Sequence, residues 1–230
     1  MFRISQKIFF IKRIISFVLA VLYSLLPILA ESEVIDRIIA IVNDEVITLT
    51  DIKVAEKFQL FKDELKDDEK DTKFQILEKM IDQKLVIQMA PDNINVTEKE
   101  LNTYLTKVIS RIGRDKAQEI LNQFGMDWED IKSYLREGKV YQKIISERFD
   151  RNVIVSIKEI KTYYNEVYRP SVKKANQEPK PMLEILDLIE SNLKQEKTKQ
   201  QIKNWLMNLR NEALIQIKLN DEIFNNKSII

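Results

Sequence analysis

Residues 34–52 read Val34-Ile-Asp-Arg-Ile-Ile-Ala-Ile-Val-Asn-Asp-Glu-Val-Ile-Thr-Leu-Thr-Asp-Ile52. Two β-branched runs flank Asn43-Asp44, and Asn and Asp tolerate the left-handed conformation that a two-residue hairpin turn needs. Val34 to Ile47 is therefore expected to form an antiparallel hairpin. Directly after it, Thr48 or Thr50 offers a hydroxyl to the free N–H groups of a first helical turn. From there the apolar period becomes helical and stays so almost to the end of the chain.

Ile52, Ala55, Phe58, Phe61 and Leu65 make one helical stripe. Residues 62–73 are almost all charged and read as a loop or frayed helix end. Phe74, Leu77, Met80, Ile81 and Leu85 start the next stripe, which stops before Pro91. Thr97-x-x-Glu100 is a capping box, in which side chain and backbone satisfy each other's donors. Leu101, Leu105, Val108 and Ile112 follow on one face, with Gly113 as C-cap. Ala117, Ile120, Leu121 and Phe124 form a short helix closed by Gly125, and Asp127 caps a long one with Trp128, Ile131, Leu135, Tyr141, Ile145 and Phe149. Gly138 sits inside that helix at some cost.

Ser156-x-x-Glu159 is a second capping box and opens a helix with Ile160, Tyr163, Tyr164 and Val167. Residues 169–180, holding Pro170 and Pro179, have no period and read as a connector. Pro181 suits the first turn of a last helix. That helix carries Leu183, Leu186, Ile189 and Leu193, then Ile202, Trp205, Leu206 and Leu209, and its middle, Lys194 to Gln201, has no apolar residue and crosses solvent. Leu214 to Leu219 alternates as a strand. A lone strand leaves backbone groups unpaired, so its economical partner is the N-terminal hairpin. The expected fold is mainly α, with a small antiparallel sheet formed by an N-terminal hairpin and a C-terminal strand. Residues 31–230 are expected to be a single domain: a helical part 31–168, the connector, a closing part 181–219, and a tail 220–230.

Composition narrows the chemistry. The chain has 230 residues, 32% charged and 44% apolar, with 3 Gly and 5 Pro, too few for a β-sandwich, a barrel or a Gly-rich nucleotide fold. Cys and His are both absent. That removes zinc thiolate sites, disulfides, cysteine nucleophiles and imidazole bases. Carboxylate pairs such as Asp67-Asp68 and Glu129-Asp130 read as solvated surface at this charge density. No catalytic residue, metal ligand or cofactor is assigned, and no Gly-rich loop for ATP exists.

Residues 1–30 read as an export signal. Arg3, Lys7, Lys12 and Arg13 supply four cations without an acid, and an apolar run from Ile14 to Leu29 leads to Ala30 as the cleavage residue. Retention as an anchor is the alternative, although this run is shorter than the roughly 20 residues a spanning helix needs. With those cations set aside, 33 basic and 36 acidic residues remain, a net of −3 with the signs interspersed. Nucleic acid is therefore not an expected partner.

Residues 34–52 resemble the opening of SurA-type periplasmic chaperones. The shared pattern is the Asp36-Arg37 pair, an apolar run ending in Val42-Asn43, a polar residue, and the Val46-Ile47-Thr48 entry into a helix. The helical order to Phe149 is similar to that family's N-terminal domain. Residues 181–219, with Trp205, Leu209-Arg210 and Ile215-x-Ile217, are similar to its C-terminal helix and strand. In SurA-like proteins one or two parvulin isomerase domains usually sit between these halves. Here Ser156–Val167 resembles the lead-in helix, but only Tyr168 to Lys180 separates it from the last helix, where a parvulin domain needs roughly 90 residues. The resemblance thus implies a periplasmic chaperone core without isomerase activity.

That resemblance implies an ATP-independent holdase for unfolded outer-membrane or secreted polypeptides, with no stable membrane insertion once the signal is cleaved. The candidate client contacts are aromatic: Phe58, Phe61, Trp128, Tyr134, Tyr141, Tyr163 and Tyr164. Most lie on apolar stripes, where burial in the core is the competing role. Tyr163 and Tyr164 stand out because adjacent helical positions do not face the same point. Two other functions stay open: an envelope assembly adaptor with one dedicated folded partner, and a protein related to peptidyl-prolyl isomerases.

Overall fold

The structure is a computed structural model that describes residues 36–65, 72–91, 94–150 and 153–218. The export segment 1–30, Val34 and Ile35 of the hairpin, part of the charged stretch 62–73, Leu219, and the 220–230 tail lie outside the described residues.

Strands β1 (Ile38–Val42) and β2 (Glu45–Thr48) form the expected hairpin, turning at Asn43-Asp44 with Asn43 at a φ of 54°. Ala40 pairs with Ile47 and Val42 with Glu45. A register shift between Ile38 and Ala40 turns Ile39 inward as well, so Ile39, Ala40 and Val42 are all buried. Strand β3 (Ile215–Ile217) pairs antiparallel with the other edge of β1, giving the order β2-β1-β3. The first and last strands of the described residues therefore pair with each other, as expected.

Eight helices lie between β2 and β3 among the described residues. Thr48 caps α1 (Leu49–Lys57) in a capping box with Asp51. Helix α2 (Thr72–Gln88) buries Ile76, Leu77, Met80, Ile81, Leu85 and Val86, too many for one narrow stripe, and is the helix around which the core is built. Then come α3 (Glu98–Ile112), α4 (Arg114–Phe124) and α5 (Trp128–Phe149), capped by Thr97, Gly113 and Asp127. Helix α6 (Ile157–Tyr163) starts at the Ser156 box. Helix α7 (Arg169–Lys174) and the long α8 (Leu186–Glu212) complete the set, the latter entered through a 3₁₀ turn at Met182–Ile185. No helix among the described residues is long and apolar enough to cross a membrane.

Two expectations need correction. The first stripe is not one helix. Helix α1 ends at Phe58, and Gln59 takes a φ of 53° while Leu60 N–H reaches back to Ala55 O at 2.9 Å. This is a Schellman stop with Gln where Gly is usual, and it places Phe61 and Leu65 on the following loop. The connector is also partly helical. Tyr164–Tyr168 forms a π-helical turn that carries α6 directly into α7. Pro170 lacks an N–H and crowds the carbonyl four residues back, and the wider π turn before it relieves that conflict.

Three apolar clusters result. The first joins the sheet, α1, α2 and α8, with Ile39, Ile47, Ile52, Ile81 and Leu209 among its buried members. The second joins α1, α3, α4 and α5 through Phe58, Leu101, Leu121, Ile131 and Leu135. The third is small: Ile160, Ile185 and Ile189, flanked by Tyr163, Tyr164 and Leu193. Helix α8 spans from the third cluster to the first, with an exposed polar middle as expected.

Arg210 fixes the far end of α8. Its Nε donates to Asp82 at 2.6 Å, and its guanidinium reaches the Glu78 carboxylate at 2.7 Å and the Glu78 backbone carbonyl at 3.0 Å. Burial pushes the Asp82 carboxyl up against the pull of Arg210. Replacing Arg210 by Ala is expected to cost about 2–3 kcal/mol, because two half-buried carboxylates lose their shared partner. Urea unfolding checks this; a variant within about 0.5 kcal/mol of the parent would contradict the clamp.

The two capping boxes closed by Glu have a second function. Glu100 closes the Thr97 box and also meets Lys143 of α5 at 2.8 Å. Glu159 closes the Ser156 box and meets Lys197 of α8 at 2.6 Å. The lysine, followed by the cap donors, holds each carboxyl down at about 2. The unfolded chain therefore takes up these protons first on acidification. Their contribution is complete above the ordinary value of 4.5 and is lost as pH falls toward 2. Thermal melts across this range should show a falling Tm. A Glu100→Gln, Glu159→Gln double variant should start lower at about pH 6 and fall less steeply; parallel slopes would contradict this assignment.

Candidate functional site

A cleft opens where the loop after α1 meets α2, α3 and α5. Phe61 comes from the loop, Met80 and Gln83 from α2, Tyr104 from α3, and Tyr134, Gly138 and Tyr141 from α5. The four aromatic rings are half-buried. The enclosed space is about 30 Å³, room for water at the base, with the remainder open to solvent. Gly138 makes the opening. A Cβ there would meet only Tyr104 Cε1 and Gln83 Nε2, each at 3.8 Å, so the missing side chain leaves a gap without any steric need for glycine.

The rim is polar and ion-paired. Glu137 and Glu45 both hold Lys84, at 2.8 and 2.9 Å, while Glu64 pairs with Lys79 at 3.1 Å. Burial works against the charge on Lys84, but its two carboxylates outweigh it and hold the ammonium above its ordinary value. Tyr134 donates to Asp51 Oδ1 at 2.6 Å, which ties α5 to the cap of α1. Burial first, then the Asp51 carboxylate, pushes the Tyr134 phenol up. Burial does the same to Tyr141 and Tyr104. The three phenols therefore stay neutral at physiological pH. Lys139 Nζ lies 4.6 Å from the Tyr104 ring centroid, covering one aromatic face with a cation. Such a site can stack on and hydrogen-bond to polypeptide. It offers no nucleophile–base pair, and no cluster of three or more acidic groups able to hold a metal ion occurs among the described residues.

The seven sequence candidates separate. Phe61, Tyr134 and Tyr141 come together in the cleft. Phe58 does not: it is 0% exposed within the second cluster, because α1 turns its last residue inward, so it is a packing residue. Trp128 lies at the start of α5 against the second cluster, with Nε1 donating to Gln118 at 3.1 Å and Arg114 over its ring. Tyr163 and Tyr164 both pack on the third cluster, contrary to the expectation that neighbours diverge. The π turn beginning at Tyr164 changes the rotation per residue there. Tyr164 is further held by its hydroxyl, which donates to Lys180 O at 2.8 Å, and by stacking on Tyr168 at 5.6 Å. Tyr104 was missed. It stands next to Leu101 and Leu105 in α3, and the usable signal was Gly138, a helix-breaking residue retained opposite it. Ile154 is 82% and Leu183 80% exposed, each next in sequence to a residue packed on the third cluster, Val155 and Met182.

Comparison with known proteins places this architecture. Residues 35–147, which hold the hairpin and helices α1 to α5 up to its last turn, match the family model of the SurA N-terminal domain. The chain is 22% identical over 138 residues to the Chaperone SurA of Legionella pneumophila (strain Paris), a match covering 57% of this chain and 32% of that protein. It is 32% identical over 114 residues to the Foldase protein PrsA of Clostridium botulinum (strain Hall), covering 46% of this chain and 34% of that one. The matched part thus spans about a third of the length of these relatives. The chain is thus SurA-like over residues 35–147, the part that matches the SurA N-terminal domain model.

Proposed function

We propose that this protein is an ATP-independent chaperone of the cell envelope, a periplasmic holdase that binds unfolded outer-membrane or secreted polypeptides. The observation that carries the reading is the aromatic cleft within a SurA N-terminal domain. Phe61, Tyr104 and Tyr141 present ring faces and the two tyrosines add neutral hydroxyls, which suit extended, aromatic-rich segments whatever their sequence. The exposed aliphatic side chains at Ile154, Ile157, Leu183 and Leu188 add a second surface of the kind that marks polypeptide binding. Client contacts are assigned to Phe61, Tyr134 and Tyr141 with Tyr104, and Trp128 is secondary. Binding is weak and reversible, because a client loses roughly 1–2 kcal/mol of chain entropy per ordered residue.

A prolyl isomerase is the second reading, favoured by the word foldase in the names of the Clostridium relatives. Against it, Tyr168–Lys180 supplies 13 residues of α7 and coil where a parvulin domain sits in SurA-like proteins. A proline-peptide assay is expected to show no acceleration; catalysis would establish the second reading.

Gly138 gives a test of the cleft that leaves the core intact. Gly138→Ala should raise stability by about 0.5–1 kcal/mol through helix propensity and leave client holding unchanged. Gly138→Leu should fill the opening, keep the parent Tm within a few degrees, and weaken suppression of aggregation of an unfolded β-barrel protein about tenfold. A folded Gly138→Leu variant that holds clients like the parent would remove the cleft from the proposal.

A further inference from the structure

The base of the cleft holds a polar group that the fold does not use. Gln83 projects from α2 and is only 6% exposed. A buried polar side chain ordinarily has a hydrogen-bond partner, because its desolvation is costly without one. Among the described residues the Gln83 amide has none. It is directed into the cleft, since Nε2 lies 3.8 Å from the place where a Cβ at Gly138 would stand. The hydroxyls of Tyr104 and Tyr141, two other residues that line the cleft, also make no hydrogen bond to a described residue. Tyr134 in the same cleft differs, because its hydroxyl is taken up by Asp51. Three polar groups, one each from α2, α3 and α5, are therefore left over at one opening.

We propose that this amide reads the client's main chain: Gln83 Nε2 donates to a backbone carbonyl of an extended polypeptide laid across the cleft. The inference rests on the chaperone reading above and names what its site recognises. Size decides first. The enclosed base has room for a water-sized group, which admits a carbonyl oxygen and excludes an aromatic ring. Chemistry decides second. A side-chain amide carries donors and an acceptor without charge, so its complement is a peptide group rather than an ion. The walls decide third. Ring faces of Phe61, Tyr104 and Tyr141 take the side chains on either side of the held carbonyl. Every residue of a client carries such a carbonyl, so one amide at the base serves any sequence, and the unused hydroxyls of Tyr104 and Tyr141 are available to neighbouring peptide groups. The fold thus retains a desolvated amide that adds no bond to its own stability and whose partner comes from outside.

Gln83→Met in the full chain tests this, because it keeps the length of the side chain and removes the amide. The fold loses no hydrogen bond, so the thermal midpoint should equal or exceed that of the parent. Binding is read by fluorescence polarisation with a short labelled peptide that has a single Tyr and no other hydroxyl. The same peptide is made with an ester in place of each amide link in turn, which weakens that carbonyl as an acceptor. Expected is about fivefold weaker binding of the all-amide peptide to Gln83→Met than to the parent. One ester position should weaken binding to the parent by a similar factor and have no effect on the variant. Equal binding of the all-amide peptide by both proteins overturns the proposal. So does an ester penalty that is absent from the parent or undiminished in the variant. Replacing the peptide's Tyr by Phe gives a further outcome against it: a penalty that disappears in Gln83→Met would make the client hydroxyl the group that is read. A variant melting well below the parent also overturns the proposal, because the amide would then serve the fold. A parent that neither binds the peptide nor slows client aggregation fails the chaperone reading itself, and this inference with it.

Discussion

Strand β1 is bonded on both edges by segments from opposite ends of the sequence, and the domain depends on the far one. Asn43 serves both sides. It makes the β1–β2 turn through its positive φ, its N–H donates to Leu214 O, and its side-chain oxygen accepts from Leu214 N–H at 2.9 Å across 171 residues. Closing a loop of that length costs about 4–5 kcal/mol of chain entropy beyond the local terms. Three β3 residues do not offset that alone. Arg210 on Glu78 and Asp82, Leu209 in the first cluster, and Trp205 against Phe149 at 5.5 Å share the closure. The end of α8 and β3 therefore act as one latch.

What the latch holds is α2, and α2 positions the cleft. The sheet and α8 pack on one side of α2, α5 on another, and Gln83 and Met80 project from it toward Gly138. Lys84 on the same helix bridges Glu45 of β2 and Glu137 of α5, and Tyr134 ties α5 back to Asp51 beside the hairpin. The aromatic opening is thus framed by elements whose mutual placement is set at the sheet. The third cluster hangs from this frame through α8 and has three fully packed residues, which explains why so much aliphatic surface around it remains in solvent.

Local signals were legible in the sequence where one residue decides the geometry. The Asn43-Asp44 turn, both Glu-closed capping boxes, the Asp127 cap and the pairing of the last strand with the hairpin could all be read, because each rests on a specific hydrogen bond or backbone preference. The stop at Gln59 could not, since nothing in that side chain demands positive φ; tertiary contacts fix it there, including Arg111 on its carbonyl at 2.8 Å. The π turn was hidden for a similar reason: Pro170 reads as a helix end unless the turn before it widens. The site was half legible. Aromatic content pointed to Phe61, Tyr134 and Tyr141, but periodicity cannot separate a ring that lines a cleft from one inside the core, and so Phe58 was included and Tyr104 passed over.

The closure itself is open to one direct measurement: cooperative thermal unfolding of the chain cut after Arg210. Removing β3 exposes both backbone groups along the far edge of β1 and uncovers Ala40 and Val42. The account predicts loss of the single cooperative transition, or a midpoint lowered by 10 °C or more, as expected for about 3 kcal/mol or more in a domain of this size. A truncated chain that melts like the parent would show that the two ends do not hold the domain together.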